Sequence, residues 1–382
     1  MNDWPIYLDY NATTPVDPLA ALALQPWLRE RFGNPSSAHP YGEEARAAVE
    51  TARVEVAALI GGRPEDMIFC GSATEANNLA ILGVVRALCG ERRHLVTSAV
   101  EHPSVMQPMR WLEAEGWQLT VLPVDGTGCV RMEAVAQVIR RDTTLISVML
   151  ANNETGTMQP VPEIAALAHA HGALMHVDAA QGAGKIPIDV HDLGADLLTL
   201  AGHKFYAPKG VGALYVREGT PILPIMAGAG HERGLRPGTE NVPHIVALGT
   251  AARLAREGLA AEAARLRALR DDLQERLVHA IPGLLLNGHL AERLPNTLNL
   301  SFPGVVGWQL LAAAPEIAAS TGSACHAGGH TASDVLAAMS MPREQALGAI
   351  RLSLGRFTTT AEIDEAASIL IAAWRRLTGG VG

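Results

Sequence analysis

The stretch Asp196-Leu197-Leu198-Thr199-Leu200-Ala201-Gly202-His203-Lys204-Phe205-Tyr206-Ala207-Pro208-Lys209-Gly210 reads as a buried strand running into a functional loop. Its apolar run has strand length and ends in small residues, followed by a histidine, a lysine and a Pro/Gly-rich turn. In open α/β sheets ligands bind outside the carboxyl ends of the strands, which is where Lys204 falls. A lysine that loses solvation there has a lowered pKa and can act as a nucleophilic amine that forms Schiff bases with carbonyls. Taken alone, a loop lysine is ordinarily a solvated surface group. The neighbouring segments decide between the two readings.

Around this stretch, short apolar runs at Met67–Cys70, Leu95–Thr97, Leu119–Leu122, Leu145–Leu150, Leu174–Val177 and Ala213–Val216 alternate with helical patterns at Glu75–Leu88, Ser104–Glu115, Met132–Arg140 and Pro162–His171. Continuous rather than alternating apolar strands, spaced by helices, are the mark of a mostly parallel sheet covered on both faces. With Leu197–Leu200 the sheet has seven strands. Upstream, Glu43 to Ile60 places Val49, Ala52, Val56 and Leu59 on one helical face. The segment through Pro18 reads as turns (Asp9, Asn11, Pro15, Asp17, Pro18), and Gly33-Asn34-Pro35-Ser36-Ser37 as a loop. Beyond a polar loop from His231 to Asn241, a helical pattern from Val242 to Ala280 carries Leu266, Leu269, Leu273 and Leu277, and reads as a helix running between two domains. After Pro282 come short strands (Leu284–Leu286, Thr297–Ser301, Ile350–Leu354) and a last helix with Ile363, Ala367, Leu370, Trp374 and Leu377 on one face. The expected organisation is a large α/β domain over residues 15–255, with a smaller α+β domain formed by 1–14 and 256–382.

A length of 382 residues fits about two domains, and 48% hydrophobic residues suffice for sizeable cores. The net charge of −9, with no basic block, argues against nucleic acid as a partner. Met1-Asn2-Asp3-Trp4-Pro5 lacks the features of a signal peptide, and no apolar run reaches the roughly 18 residues of a membrane span. Cys70, Cys89, Cys129 and Cys325 lack paired spacing, which argues for a reducing compartment rather than a disulfide framework. A soluble cytoplasmic protein without membrane attachment is expected.

Four further loops follow strands of the sheet. Cys70-Gly71-Ser72-Ala73-Thr74-Glu75 opens a helix, where free backbone N–H groups and the dipole favour an anion such as phosphate; an ordinary cap by Ser72 or Thr74 is the plainer reading. Thr97 to Pro103 places the imidazole of His102 between a strand and a helix. Ala151-Asn152-Asn153-Glu154-Thr155-Gly156 is unusually polar for a sheet end. Leu174-Met175-His176-Val177-Asp178-Ala179-Ala180-Gln181 ends a strand in a carboxylate, which is costly to desolvate unless it faces a cation or a donor. An Asp on the pyridinium nitrogen of pyridoxal phosphate, with a Lys Schiff base, is one established solution. Asp178 and Lys204 end successive strands, so both can reach one cofactor. An anion cradle, an imidazole, a carboxylate and an amine together make one coherent pocket, and this co-occurrence decides for the functional reading of Lys204. Cys325, in Ser320-Thr321-Gly322-Ser323-Ala324-Cys325-His326-Ala327-Gly328-Gly329-His330, reads as a reactive thiol in a Gly-rich loop. A zinc site of Cys325, His326 and His330 lacks the four-ligand spacing of structural zinc, and no metal is expected. His169, His171 and His176 are spread over a helix end and a strand and are not expected to converge.

In this order the segments resemble the cysteine desulfurase family, pyridoxal-phosphate enzymes of the class V aminotransferase group that includes selenocysteine lyases. The similarity runs from Tyr7-Leu8-Asp9-Tyr10-Asn11-Ala12-Thr13-Thr14-Pro15 to Arg351-Leu352-Ser353-Leu354-Gly355-Arg356-Phe357-Thr358-Thr359. It implies the fold type I of pyridoxal-phosphate transferases. It also implies that Lys204 is the Schiff-base lysine, that Asp178 pairs with the pyridinium nitrogen, and that His102 stacks on the ring and handles protons. Gln181 then bonds the ring oxygen, and Ala73, Thr74 and His203 hold the phosphate. Thr239, in Arg236-Pro237-Gly238-Thr239, resembles the threonine offered to the phosphate of a neighbouring subunit, which implies a homodimer. Asn153 and Arg351 match groups that bind the substrate carboxylate, Asn34 a further substrate-side asparagine, and Cys325 the nucleophile that becomes a persulfide.

The implied reaction converts L-cysteine to L-alanine and passes sulfur to a persulfide acceptor protein, such as an iron–sulfur scaffold or a sulfur carrier. The alternative is a selenocysteine lyase acting on L-selenocysteine, and after it another pyridoxal-phosphate lyase or aminotransferase. A cofactor-bound scaffold has no need of Lys204, Asp178, His102 and Cys325 together. Ala201 stands where many family members carry a serine for the phosphate, and the chain stops soon after the Trp374 helix, short of the tail that housekeeping members use near a scaffold protein. Several segments, among them the run after Cys325, look closer to the selenocysteine lyase-like branch.

Overall fold

A computed structural model of the chain describes residues 4–88, 90, 93–321 and 332–379. Twelve strands occur among them: β1 (Ile6–Tyr7), β2 (Met67–Cys70), β3 (His94–Ser98), β4 (Gln118–Leu122), β5 (Thr143–Met149), β6 (Leu174–Asp178), β7 (Leu197–Ala201), β8 (Gly212–Val216), β9 (Leu285–Asn287), β10 (Thr297–Ser301), β11 (Ile317–Ala318) and β12 (Ala349–Ser353).

β2 to β8 form one seven-stranded sheet in the order β2-β8-β7-β6-β5-β3-β4. β8 alone runs against the others. Successive residues of these strands feed two different cores. Phe69, Val96, Ile146, Leu198 and Ala213 pack on one face, with the helices Pro40–Leu59 and Val161–Ala170. Ile68, Leu95, Leu145, Leu197 and Leu214 pack on the other, with the helices Ala73–Ala87 and Pro103–Ala114. Such strands must be apolar throughout, which is why they stand out in the sequence. The chain steps outward from β3 to β4 and then crosses to β5, β6 and β7, so the direction of winding reverses between β3 and β5. A crevice opens at such a switch point, beyond the carboxyl ends of the strands.

A third apolar core gathers Leu8, Leu266, Leu273, Leu277, Phe302, Leu352, Leu370 and Trp374 around the antiparallel sheet β12-β10-β9. The helix Val242–Ala280 serves two of these cores: Ile245, Leu248 and Ala252 belong to the one packed with Pro40–Leu59, and Leu266 to Leu277 to the third. Its Gly249 permits close packing, since a Cβ there would lie 2.6 Å from Cα of Ala52.

The N-terminal segment departs from the turn-only expectation. β1 pairs in parallel with β11, and helices occupy Pro18–Leu24 and Pro26–Arg29. Asp17-Pro18 has the composition of a turn, yet Asp17 is a helix cap whose Oδ1 accepts from Leu19 N at 2.9 Å, with Pro18 at the first helical position. The helix expected to reach Arg140 ends at Val138. No helix among the described residues is long and apolar enough to cross a membrane.

Candidate active site

The loops after β2, β3, β5, β6 and β7 meet the β12 strand and the Asp9–Ala12 segment around a cavity of about 400 Å³. Ala73, Thr74, His102, Asn153, Asp178, Gln181, His203, Lys204 and Arg351 all line it.

Asp178, the last residue of β6, is 5% exposed. Its carboxylate accepts from Ala180 N at 2.9 Å and from Asn77 Nδ2 at 2.8 Å, both neutral donors. A buried carboxylate held in this way favours a cation or a strong donor on its cavity side.

One 3₁₀ turn, Gly202–Lys204, follows β7 and aims the Lys204 amine at the carbonyls of Asn11 (2.6 Å) and Ala12 (2.8 Å). Burial and then the nearby Arg351 lower its pKa to about 8, against the opposing pull of Asp9 and Asp178. The turn is locked from behind by Tyr206, held at φ 72, whose N–H donates to Thr14 Oγ1 and whose hydroxyl accepts from Arg356 N. A non-glycine residue at positive φ persists only where its surroundings enforce it.

The helix Ala73–Ala87 starts at the cavity wall, its Ser72 cap accepting from Glu75 N at 3.1 Å. β8 approaches this start so closely that a Cβ on Gly212 would lie 3.1 Å from the Ala73 nitrogen. The Ala73 and Thr74 amides and the helix dipole therefore present an anion cradle. His203 closes the same end; its Nδ1 lies 3.2 Å from Thr13 Oγ1, and burial and Lys204 hold it neutral with a pKa of about 4.

At the opposite end, Arg351 on β12 donates from Nη1 to Asn153 O (3.1 Å) and from Nη2 to Asp9 Oδ1 (2.6 Å). Gln181 donates to Asn11 O at 3.0 Å, while its Oε1 accepts from the buried Lys185 at 2.6 Å. The imidazole of His102 caps the Pro103–Ala114 helix by accepting at Nδ1 from Ser104 N at 3.1 Å, and burial lowers its pKa.

Two expected site residues stand elsewhere in the chain. Asn34 is exposed, its Oδ1 accepting from Ser36 N within its own turn. Thr239 lines a separate recess with Cys70, Gly71 and Arg236. Cys325, with His326 and His330, lies outside the described residues. His169, His171 and His176 have unrelated partners: Asp196, the Leu167 carbonyl, and Ser147 with Thr199.

Asp9, Asn11, Asn77, Ser104 and Lys185 support the site and were not singled out in the sequence as doing so. A signal existed for Asn77, an amide on the helical face that also carries Ala80, Ile81 and Val84.

Residues 6–366 match the family model for aminotransferase class-V. The chain is 45% identical over 376 residues to the cysteine desulfurase IscS of Anaeromyxobacter sp., covering 98% of this chain and 93% of that one. Among solved structures, a NifS-like protein superposes with a TM-score of 0.91 at 37% identity, over 98% of this chain and 100% of its own. SspA in complex with cysteine superposes with a TM-score of 0.82 at 36% identity, over 92% of this chain and 99% of its own. Fold, cavity and sequence agree: the chain belongs to the class-V aminotransferases and, within them, to the cysteine desulfurase family.

Proposed function

We propose that this protein is a pyridoxal-phosphate-dependent cysteine desulfurase that converts L-cysteine to L-alanine and takes the sulfur onto Cys325. The observation that carries the reading is the meeting, in one cavity, of the Lys204 amine, the Asp178 carboxylate, the Ala73 helix start and the Arg351 guanidinium. These groups fit pyridoxal phosphate. The buried Asp178, bonded only to neutral donors, suits a protonated ring nitrogen, and the Ala73–Thr74 amides with His203 suit the phosphate. Lys204 would hold the aldehyde covalently, and Gln181 would donate to the ring oxygen. When bound, the cofactor supplies an electron-withdrawing ring that acidifies the substrate's Cα–H.

The chain's own groups then have defined tasks. Arg351 receives the α-carboxylate, for which it must exchange its bond to Asp9, and Asn153 lies beside that position. A guanidinium fork suits a carboxylate geometrically. Lys204, with a pKa of about 8, moves a proton at Cα. His102 holds a second proton at the cavity wall. The Cys325 thiolate attacks the substrate sulfur: the S–S bond forms as the substrate's Cβ–S bond breaks, and the electron pair left on the alanine fragment takes a proton. The cysteine-bound structure of SspA supports the substrate.

The same reading includes a homodimer, supported by the placement of Thr239 outside its own chain's cavity, where it can serve a partner's. It also includes a cytoplasmic setting, a protein acceptor for the persulfide, and a division into the 15–255 domain and the domain of 1–14 with 256–382. The test is release of alanine and sulfide from L-cysteine, and of alanine and selenide from L-selenocysteine, by the wild type and Cys325→Ala. Loss of sulfide release in the variant is expected. Turnover of selenocysteine alone, undiminished in Cys325→Ala, would make the protein a lyase and overturn the persulfide role.

A further inference from the structure

Behind the cavity wall, two polar side chains connect the carboxylate at the end of β6 to the imidazole after β3. Asn77, 0% exposed, donates from Nδ2 to Asp178 Oδ2 and to Ser104 Oγ, both at 2.8 Å. The Ser104 hydroxyl lies 2.8 Å from His102 Nδ1, which also accepts from the Ser104 backbone N–H at 3.1 Å. The Oδ1 of Asn77 is buried without a partner.

These contacts permit one arrangement of protons. The amide atom against the Asp178 carboxylate must be the donor, because an oxygen there would face an acceptor-only group. That fixes the flip of Asn77 and leaves its Oδ1 as the orphan. The second Nδ2 hydrogen fills an acceptor position on Ser104 Oγ, so the hydroxyl hydrogen is left for His102 Nδ1. The backbone N–H of Ser104 requires a lone pair on that same nitrogen. In the neutral ring the proton must then sit on Nε2.

We propose that Asn77 and Ser104 are positioning residues that tie His102 to the Asp178 carboxylate and fix its Nε2–H tautomer. The proposal rests on the reading of His102 as a proton-handling group. Asp178 would thereby set both the cofactor nitrogen and the donor that His102 offers. The charged groups that face the imidazole are Asp178 from β6 and Lys204 from the turn after β7. Asp178 favours the imidazolium and Lys204 disfavours it. Ser104 adds a directional preference that neither charge supplies, and it is specific to the sequence His102-Pro103-Ser104.

The test is ¹⁵N NMR of the full-length chain labelled at histidine, with His102→Asn identifying the signal. In the wild type, Nδ1 is expected to carry the lone pair and Nε2 the proton. Ser104→Ala removes one of two donors to Nδ1 and should raise the His102 pKa by about one unit. The acid limb of kcat should move up by the same amount with KM unchanged, and Ser104→Thr should restore both. Asn77→Ala should produce a smaller shift in the same direction. A neutral His102 protonated on Nδ1 in the wild type would overturn the proposal whatever the variants do. So would a folded Ser104→Ala protein with an unmoved His102 signal. The tautomer is read without turnover, so a chain that released no sulfide would overturn the functional reading and leave this measurement to decide the relay.

Discussion

Lys204 owes its lowered pKa partly to groups that are distant in the sequence and close in space. Burial is the largest cause of its lowered pKa, and Arg351, 147 positions later in the numbering, is the largest electrostatic one. The sign of the consequence is definite. A free amine attacks an aldehyde and an ammonium does not, so capture of pyridoxal phosphate by the apoprotein should accelerate about tenfold per pH unit below 7 and level off above about 8. Arg351→Gln should move the plateau to higher pH, because a positive neighbour is lost and Asp9 loses its partner. Absorbance stopped-flow between pH 6 and 10 measures both, and an unchanged midpoint in Arg351→Gln would refute the coupling. The convergence of Lys204, Asp178, His102 and Arg351 on one cavity was legible in the sequence because each closes a strand-then-loop pattern or matches a family motif. Asp9, Asn77 and Ser104 were not, since each bonds a side chain distant in sequence: Asp9 to Arg351, Asn77 to Asp178, and Ser104 to Asn77.

At the scale of elements, the large sheet was legible to within a residue or two because strands buried on both faces leave unbroken apolar runs. The N-terminal helices were not, because Asp17-Pro18 serves a turn and a helix start equally well. Neither of these patterns reveals how closely two elements approach, and the anion cradle depends on that distance. Gly212 on β8 faces the Ser72–Ala73 peptide, where an added Cβ would lie 2.9 Å from the Ser72 carbonyl carbon. Contacts that short, the shortest 2.7 Å from the Leu200 carbonyl oxygen of β7, force backbone on both sides of Gly212 to move, the first turn of the Ala73–Ala87 helix included. Gly212→Ala should therefore weaken pyridoxal phosphate about tenfold, the equivalent of ~1.4 kcal/mol, while the far-ultraviolet spectrum stays that of the wild type. Fluorescence titration of the apoprotein gives the dissociation constant, and an unchanged value would mean that the cradle does not depend on this approach. Ser72→Ala acts on the same turn through its cap and should cost about 1 kcal/mol of stability in urea unfolding.

For the whole molecule, the large sheet is tied together by buried histidines that fold neutral. His94 in β3 bonds Thr120 of β4 and Thr143 of β5, and His176 in β6 bonds Ser147 of β5 and Thr199 of β7. Burial lowers both to about 4, and His203 is lowered similarly. The unfolded chain binds these protons near pH 6.5 and the folded chain only near 4. Stability from each is therefore full above about 6.5, falls as pH drops, and stops falling near 4. For the wholly buried His176 the fall across that window is about 3 kcal/mol. Glu101 works in the opposite sense: burial raises its carboxyl to about 8, so its contribution is full below about 4.5 and declines as pH rises to 8. His94, His176 and His203, joined by the lowered His102 and His244, outweigh the raised carboxyls Glu101 and Glu154 between pH 5 and 6.5, so the protein should lose stability on acidification through that range. Urea unfolding at pH 6.5 and 5.0 measures the slope. His176→Gln should flatten it by about 2 kcal/mol over that interval, and Glu101→Gln should steepen it, because the opposing group is gone. A slope unaffected by His176→Gln would mean that this histidine titrates in the folded sheet as it does in the unfolded chain.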